Sequence, residues 1–194
     1  MEFRKNRFLA IATVGLALAA FPAAALASDA YEADIEVEDR CDPATFNAVV
    51  GPGACVRPAG DGGGNVTVDE FVADLTRKHE HKAWKFDDKK VTIRRGEPLR
   101  IAMTRGGERH TVTEVPSFGL GCIPSINVLV FPDQDPTAFP AVCDDPLTFQ
   151  PGATVPGGTS IRPGESFSIT GLTKGIHRYI CVIHPWMKST VKVK

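Results

Sequence analysis

Hydrophobic and polar positions alternate along much of the chain from Trp84 to the C-terminus. The runs AWKF, KKVTIR, PLRIAMT and RHTVTEV are short, and turn signals such as DD, RRGE and RGGE separate them. Leu99, Ile101 and Met103 fall on one face of their run, as in a strand with one buried face. GTSIRPGESFSITGL, HRYICV and TVKVK resume the alternation near the end. The pattern predicts about seven or eight short strands, and therefore an all-β Greek-key sandwich or barrel.

Residues 28–66 lack this alternation. They are rich in acidic residues, glycine and proline, as in GPGAC and AGDGGGN, and show no sustained periodicity. We interpret them as an extended segment that a disulfide pins down. In the stretch that follows, TVDEFVADLTRKHEH, Thr67 and Glu70 fit a capping box, and Phe71 with Leu75 forms a partial helical stripe. A short helix is expected there.

A second interruption begins at Pro116 and lasts to about residue 158. This stretch is rich in glycine and proline, and NVLVF is its one segment with the composition of a strand. The chain is therefore expected to have three parts. They are an N-terminal segment 1–27, an extension 28–81 that contains the short helix, and a β domain 82–194 with an inserted loop at about 116–158.

The first residues have the composition of a secretory signal peptide. The basic stretch MEFRKNR is followed by the apolar run Phe8–Phe21, by Pro22 and by the small-residue stretch AAALAS. This order, with an A-x-A site ending at Ala27, predicts cleavage after Ala27. The alternative is a membrane anchor that spans Phe8 to Ala27, but the proline and the A-x-A site favour cleavage. We expect a periplasmic or secreted protein without stable membrane insertion.

The charge of the chain limits the classes of partner that it is expected to bind. The formal net charge is −1 at pH 7, and no extended basic stretch points to a nucleic acid. Acidic residues crowd the segment 29–42, whereas the C-terminal end is basic through residues such as Lys188 and Lys192. Runs of this kind are usually solvated surface.

The chain contains five cysteines, Cys41, Cys55, Cys122, Cys143 and Cys181. Disulfides form and persist in an oxidising compartment, and an odd count leaves one thiol over. The pairings closest in sequence are Cys41 with Cys55 and Cys122 with Cys143, and each closes a loop rich in glycine and proline. Four cysteines allow three connectivities, so this pairing is a preference. It leaves Cys181 as the free thiol.

The free thiol lies in the stretch YICVIHPWM, where Cys181, His184 and Met187 are each three residues apart. The turn after the predicted strand can fold the imidazole and the thioether back towards the sulfur. A second imidazole would complete a trigonal site of two histidines and one cysteine with a weak axial methionine, which suits copper. His110 provides it, because it begins a predicted strand on the same face as Val112. A Greek-key sandwich can place that strand beside the C-terminal ones.

Each of these residues has a simpler interpretation. Cys181 alone would be read as a buried thiol and Met187 as a core residue, and only their common spacing favours ligands. Trp186 is as suited to packing on the end of the sheet as to contacting a partner. His79 and His81 form an H-x-H pair, which we expect on the solvated surface and not at a second metal site.

These motifs resemble those of the cupredoxins, the type 1 blue copper proteins. The segments WKFDDKKVTIRRGEPLRI, RHTVTEV and GIHRYICVIHPWMKSTVKV follow the order of strands and ligands in that family. The spacing of Cys181, His184, Pro185 and Met187 is similar to that of the amicyanin and plastocyanin branch with a short ligand loop. The resemblance covers about residues 82–115 and 159–194. Thr111 stands where many relatives have an asparagine that ties the two ligand loops together.

The resemblance implies roles for the matching residues. Cys181 would be the thiolate ligand, His110 and His184 the imidazole ligands and Met187 the axial ligand of one type 1 copper ion. His184 would also be the partly exposed edge through which electrons leave. Pro185 and Trp186 would then form an apolar patch around this edge.

We therefore expect an extracytoplasmic one-electron carrier between redox protein partners. It would be a monomer. We do not expect an enzyme, because the implied site is filled by protein ligands and leaves no open position for a substrate. Arg178 and Lys188, which flank the ligand loop, favour a partner with an acidic face. One alternative is a copper-delivery or copper-sequestering protein without redox turnover, since thiolate and thioether donors also suit Cu(I). Another is an accessory domain that supplies electrons to an oxidase.

Overall fold

The computed structural model describes residues 34–144, 154–155 and 158–194. The signal peptide expected over residues 1–27 lies outside this range, as does part of the inserted loop. The strands are β1 (Ile35–Glu38), β2 (Lys85–Phe86), β3 (Lys90–Ile93), β4 (Leu99–Ala102), β5 (His110–Val115), β6 (Thr154–Val155), β7 (Gly158–Ile161), β8 (Ser166–Ile169), β9 (Gly175–Ile180) and β10 (Lys188–Val193). The α-helices are α1 (Pro43–Val49), α2 (Val68–Lys78) and α3 (Pro124–Val130), and a 3-10 turn covers Ala141–Asp144.

The strands form two mixed sheets, which confirms the expected all-β sandwich. The smaller sheet has the order β2-β1-β4-β8 and the larger one β3-β10-β9-β5-β7-β6. Most neighbours are antiparallel, but β1 with β4 and β3 with β10 are parallel. One core cluster takes side chains from both sheets, including Ile35, Val37, Leu99, Ile101, Val112, Tyr179, Val191 and Val193. Each fully buried aliphatic side chain of this kind contributes about 1.5–3 kcal/mol to folding.

The alternation seen in the sequence produces this core directly. Leu99, Ile101 and Met103 are all completely buried, as the period of two predicts. In β5, Val112 faces the core cluster from the same strand that begins with His110. The register of β5 against β9 pairs Thr113 with Ile180. The start of β5 and the residues just after β9 therefore lie together at one end of the larger sheet.

Helix α2 begins with the expected capping box. The Thr67 hydroxyl accepts the N–H of Glu70, and the Glu70 carboxylate accepts the N–H of Thr67 at 2.9 Å. Phe71 and Leu75 are buried, so the helix packs on the sandwich through the predicted stripe. The helix ends at Lys78, and the C-cap residue His79 adopts a left-handed conformation with φ of 62°.

The segment expected as an extension also contributes a strand to the smaller sheet. β1 lies between β2 and β4, and its Ile35 and Val37 are completely buried, while Glu36 and Glu38 are half-buried. The alternation spans only four residues. The dense acidic residues around it therefore hid the strand in the sequence pattern.

The prediction of a strand at NVLVF is wrong, because helix α3 covers most of this segment. Pro124 occupies the first turn, where its missing N–H has no cost. The buried Asn127 side chain accepts the N–H of Gly121 and donates to its carbonyl, both at 2.9 Å. These bonds fold the segment back on itself and override its β-branched composition. Within the described residues, no helix has both the length and the apolar composition needed to cross a bilayer.

Candidate metal centre

Two adjacent strands bring the candidate ligands together. His110 is the first residue of β5, and Cys181 directly follows the last residue of β9. The chain then turns back, since the N–H of Cys181 donates to the carbonyl of Met187 at 3.0 Å and the N–H of Met187 donates to that of His184 at 2.9 Å. We call residues 181–187 the ligand loop. Its ends are tied together by these backbone hydrogen bonds.

Three donor atoms converge where this loop meets the start of β5. The Cys181 Sγ lies 3.7 Å from the Nδ1 of His110 and 3.8 Å from the Nδ1 of His184. The two Nδ1 atoms are 3.2 Å apart. The exposed fractions of Cys181, His110 and His184 are 0%, 0% and 3%. Metal bonds of about 2.0 Å to nitrogen and about 2.3 Å to sulfur, the lengths at zinc sites, are compatible with donor separations of this size.

Met187 lies at the closing end of the ligand loop. It is buried and belongs to the core cluster that also contains Cys181. Its backbone makes both hydrogen bonds that close the loop, one through its carbonyl and one through its N–H. The structure therefore holds this thioether residue in the same buried turn as the thiol and the imidazole.

Thr111 links β5 to the ligand loop. Its hydroxyl accepts the N–H of Val182 at 2.9 Å, and its own N–H points at the Cys181 Sγ at 3.4 Å. The motif resemblance described above marked this position as a departure from the usual asparagine. In the structure the threonine ties the two ligand-bearing segments together and directs an N–H at the sulfur.

The environment of Cys181 favours its thiolate. Burial alone would raise the pKa of the thiol, because it penalises the charged form. The contacts with His110 and His184 outweigh this effect and lower the pKa well below its ordinary value. The thiolate is the form that binds metals and acts as a soft donor.

Sequence reasoning missed a carboxylate on the far side of His110. The Nε2 of His110 lies 3.0 Å from the Oδ2 of Asp39, and both side chains are completely buried. Asp39 follows β1 directly and was counted only as one of the acidic residues near the N-terminus. Burial opposes the charge of the imidazole, but the hydrogen bond to Asp39 and the contact with Cys181 raise the pKa of His110 to about 10.

A second carboxylate, Glu108, faces His184. Its Oε2 lies 3.7 Å from the Nε2 of His184, which is too long for a hydrogen bond, and it accepts a short hydrogen bond from the Nε1–H of Trp84. Burial raises the pKa of Glu108, while the neighbouring His184 opposes that shift. Its position two residues before His110 was the only sequence signal for it.

Aromatic side chains cover the outer edge of His184. The rings of Phe71, Trp84 and Trp186 have their centres 6.0, 6.4 and 5.4 Å from that of His184. The expectation of a partly exposed His184 edge is therefore wrong. Helix α2 carries Phe71 over this edge, and its packing there was not visible in the local sequence. Pro185 is buried and Trp186 is half-buried, so Trp186 is the member of the expected patch that reaches solvent.

The H-x-H pair is divided between two environments. His79 is exposed and its Nδ1 lies 2.7 Å from the carbonyl of Leu129. His81 is buried, contrary to the expected solvated position, because it packs with its ring centre 4.8 Å from that of Trp84. Neither histidine belongs to the cluster of donor atoms formed by Cys181 and its neighbours.

The disulfides support both sides of this centre. They join Cys41 to Cys55 and Cys122 to Cys143, and Cys181 is the free thiol. The first disulfide packs on Gly107, where an added Cβ would lie 2.6 Å from the Cys41 Sγ. Beside the second, the N–H of Cys122 donates to the carbonyl of Val182 at 2.6 Å. The inserted loop therefore contacts the ligand loop.

Metal binding at pH 7 is expected to release at least one proton per ion, from His110. With a pKa of about 10, His110 carries protons on both nitrogens in the metal-free protein, and a metal needs the lone pair on Nδ1. The lowered pKa of the Cys181 thiol reduces the share of this release that comes from the sulfur. Calorimetry of Zn(II) binding in two buffers of different ionisation enthalpy measures the release. It should fall towards zero above pH 10, and zero release at pH 7 would contradict the assignment.

The described residues thus define an all-β sandwich with one cysteine and two histidines converging at a buried site. No protein-family model and no curated protein matches the chain. Similar solved structures include a purple cupredoxin from Nitrosopumilus maritimus, with 12% identity, coverage of 61% of this chain and 93% of that chain, and a TM-score of 0.36. They also include a reduced Cu(I) form of an amicyanin variant, with 17% identity, coverage of 59% and 77%, and a TM-score of 0.35. The functional proposal therefore rests on the Cys181, His110 and His184 donors of this chain and not on these similarities.

Proposed function

We propose that this protein is a type 1 copper protein that carries single electrons between redox protein partners outside the cytoplasm. The convergence of the Cys181 thiolate with the Nδ1 atoms of His110 and His184 in a buried pocket supports it most directly. Copper bound by such a donor set accepts and donates one electron. The two disulfides fit the oxidising compartment that the proposal requires.

The chain holds these donors in a fixed arrangement. Backbone bonds between Cys181 and Met187 close the ligand loop, and the Thr111 hydroxyl fastens it to β5. A donor set that is fixed in advance rearranges little when the charge of the site changes. Little rearrangement means a small barrier to electron transfer, as a carrier requires. Met187 is proposed as the weak axial ligand on the basis of its burial in the same loop.

A copper-sequestering role without redox turnover is the second candidate. The burial of all three donors favours it, because a covered site retains its metal. The same burial argues against delivery, since a receiving protein must reach the donors to exchange ligands.

One experiment separates these functions. The purified protein is loaded with Cu(II), its visible and EPR spectra are recorded, and it is cycled with ascorbate and ferricyanide. Intense blue or purple absorption that bleaches and returns over repeated cycles supports the carrier. A colourless protein that holds only Cu(I), with no reversible couple, would sink the carrier proposal in favour of sequestration.

We further propose that electrons leave through Trp186 and not through a bare histidine edge. Trp186 is half-buried, and its Nε1–H donates to the carbonyls of His81 and Trp84, which fixes the indole beside His184. A groove of about 160 Å³ borders this indole. Its charged lining consists of Lys82, Lys85, Lys89, Lys188, Glu80 and Asp87. The excess of lysines favours a partner with an acidic face.

Neutralising this groove is expected to slow electron exchange with anionic reagents. Changing Lys82 and Lys89 to glutamine should lower the rate of oxidation by ferricyanide severalfold at low salt, and the difference should shrink at high salt as screening increases. Stopped-flow kinetics measures both rates. The control changes Lys174 and Lys192 to glutamine, because both lysines are exposed and lie outside the groove, and this change removes the same two charges. Equal slowing by the control would mean that net charge alone acts, and the groove would not be the docking site.

A further inference from the structure

We propose that Asp39 is a positioning residue that fixes the tautomer of His110 and lowers the reduction potential of the metal site, an inference that rests on the proposed copper function. The hydrogen bond between the His110 Nε2 and the Asp39 Oδ2 is 3.0 Å long and completely buried. When Nε2 donates to this carboxylate, the lone pair of a neutral imidazole lies on Nδ1. Nδ1 is the atom that faces the Cys181 Sγ.

The main chain holds Asp39 in place. Its two carboxylate oxygens accept the N–H groups of Cys41, Gly107 and Glu108, each at 3.0 Å. Two of these donors lie in the turn that leads into β5, and the third belongs to the Cys41–Cys55 disulfide. The carboxylate therefore cannot rotate away without breaking several buried hydrogen bonds, each of which is costly to leave unmade.

The charge of Asp39 is the second part of the inference. A buried anion next to a ligand stabilises the more positive state of a metal, because a low dielectric environment screens the attraction weakly. Arg57 offsets this charge only in part. Its Nη1 lies 3.5 Å from the Asp39 Oδ1, whereas its Nη2 lies 2.8 Å from the carboxylate of Asp61. The divalent state of copper should therefore gain more from Asp39 than the monovalent state.

If Asp39 had a purely structural role, its removal would have different measurable effects. Asp39 also braces the turn at Gly107 and Glu108, so removing it can lower stability without any effect on the metal. Stability alone cannot distinguish the two roles. The reduction potential and the state of the His110 Nε2–H can, because bracing of the turn does not predict a change in either.

The first test compares Asp39→Asn with Asp61→Asn by spectroelectrochemistry of the copper protein. Asp61 is a good control because it binds the same Arg57 and the N–H of Gly106 but, within the described part of the chain, makes no hydrogen bond or ion pair with a donor residue. Asp39→Asn is expected to raise the preference for Cu(I) over Cu(II) at least tenfold. For a one-electron couple, this change corresponds to a reduction potential about 59 mV more positive. Asp61→Asn should leave the potential unchanged. An unchanged potential in Asp39→Asn, or equal shifts in both variants, would overturn the proposal.

The second test needs no variant that might fail to fold. Nitrogen-15 NMR of the wild-type protein loaded with Zn(II), which the same donors bind, should show the His110 Nε2–H as a downfield signal that exchanges slowly with water. A His110 bound through Nε2, or a rapidly exchanging Nε2–H, would refute the positioning role. If this signal is present but the copper protein has no reversible couple, the carrier function fails while the positioning of His110 by Asp39 stands.

Discussion

Replacing Cys181 by serine is expected to abolish the intense visible absorption of the copper protein and to weaken Cu(I) binding severely. Serine has nearly the same size, but its hydroxyl stays protonated and offers no soft thiolate. The loss should exceed the 10–100-fold that changes to outer-shell residues typically cost, because a direct donor is removed. Competition with a chromogenic Cu(I) chelator measures the affinity, and the visible spectrum measures the charge-transfer band.

A matched control is His177→Gln. His177 lies on β9, a few residues before Cys181, and its ring nitrogens lie 2.7 Å from Glu114 and 2.8 Å from the carbonyl of Thr173. It contacts neither Cys181 nor His184 in the described structure, so its loss should leave the spectrum and the affinity unchanged. A Cys181→Ser protein that keeps the intense band would show that the thiolate is not a ligand.

The sandwich and the donor residues could be predicted because their signals are local. The period of two placed Leu99, Ile101 and Met103 on the buried face, and the three-residue spacing in YICVIHPWM marked the ligand loop. His110 was found by the same logic, since the first residue of a strand lies at a sheet end. Each inference used only a few neighbouring residues and one regular backbone geometry.

Asp39 could not be found in this way. It lies seventy-one residues before His110, and the contact depends on the parallel pairing of β1 with β4. The four-residue alternation of β1 was too short to compete with the acidic composition around it. A carboxylate in such a segment is usually solvated, and only the assembled sheet shows that this one is completely buried.

The cover over His184 was missed for a related reason. The capping box and stripe predicted α2, but amphipathic periodicity gives the buried face of a helix and not what it is buried against. Phe71 meets Trp84 and Trp186 only because the helix docks on the end of the sandwich where the ligand loop lies. Through Phe71, helix α2 thus forms part of the candidate metal centre.

Replacing Phe71 by alanine is therefore expected to destabilise the protein by about 3–5 kcal/mol. Phe71 is 4% exposed, and its ring packs 5.6 Å from Phe46, 4.6 Å from Trp84 and 5.9 Å from Trp186 between ring centres. Removing it leaves a cavity in this aromatic cluster and opens the edge of His184 to water. Urea denaturation of the metal-free protein, followed by tryptophan fluorescence, measures the change in the free energy of unfolding.

Val72→Ala provides the control, because Val72 is the next residue of the same helix and is 42% exposed. It should change the free energy of unfolding by about 0.5 kcal/mol or less, as exposed positions usually do. Phe71→Ala should also speed the reaction of the copper site with small anions such as azide, while Val72→Ala should not. A Phe71→Ala protein as stable as Val72→Ala would mean that the aromatic cluster does not hold α2 on the sandwich. The covered state of His184 would then need another cause.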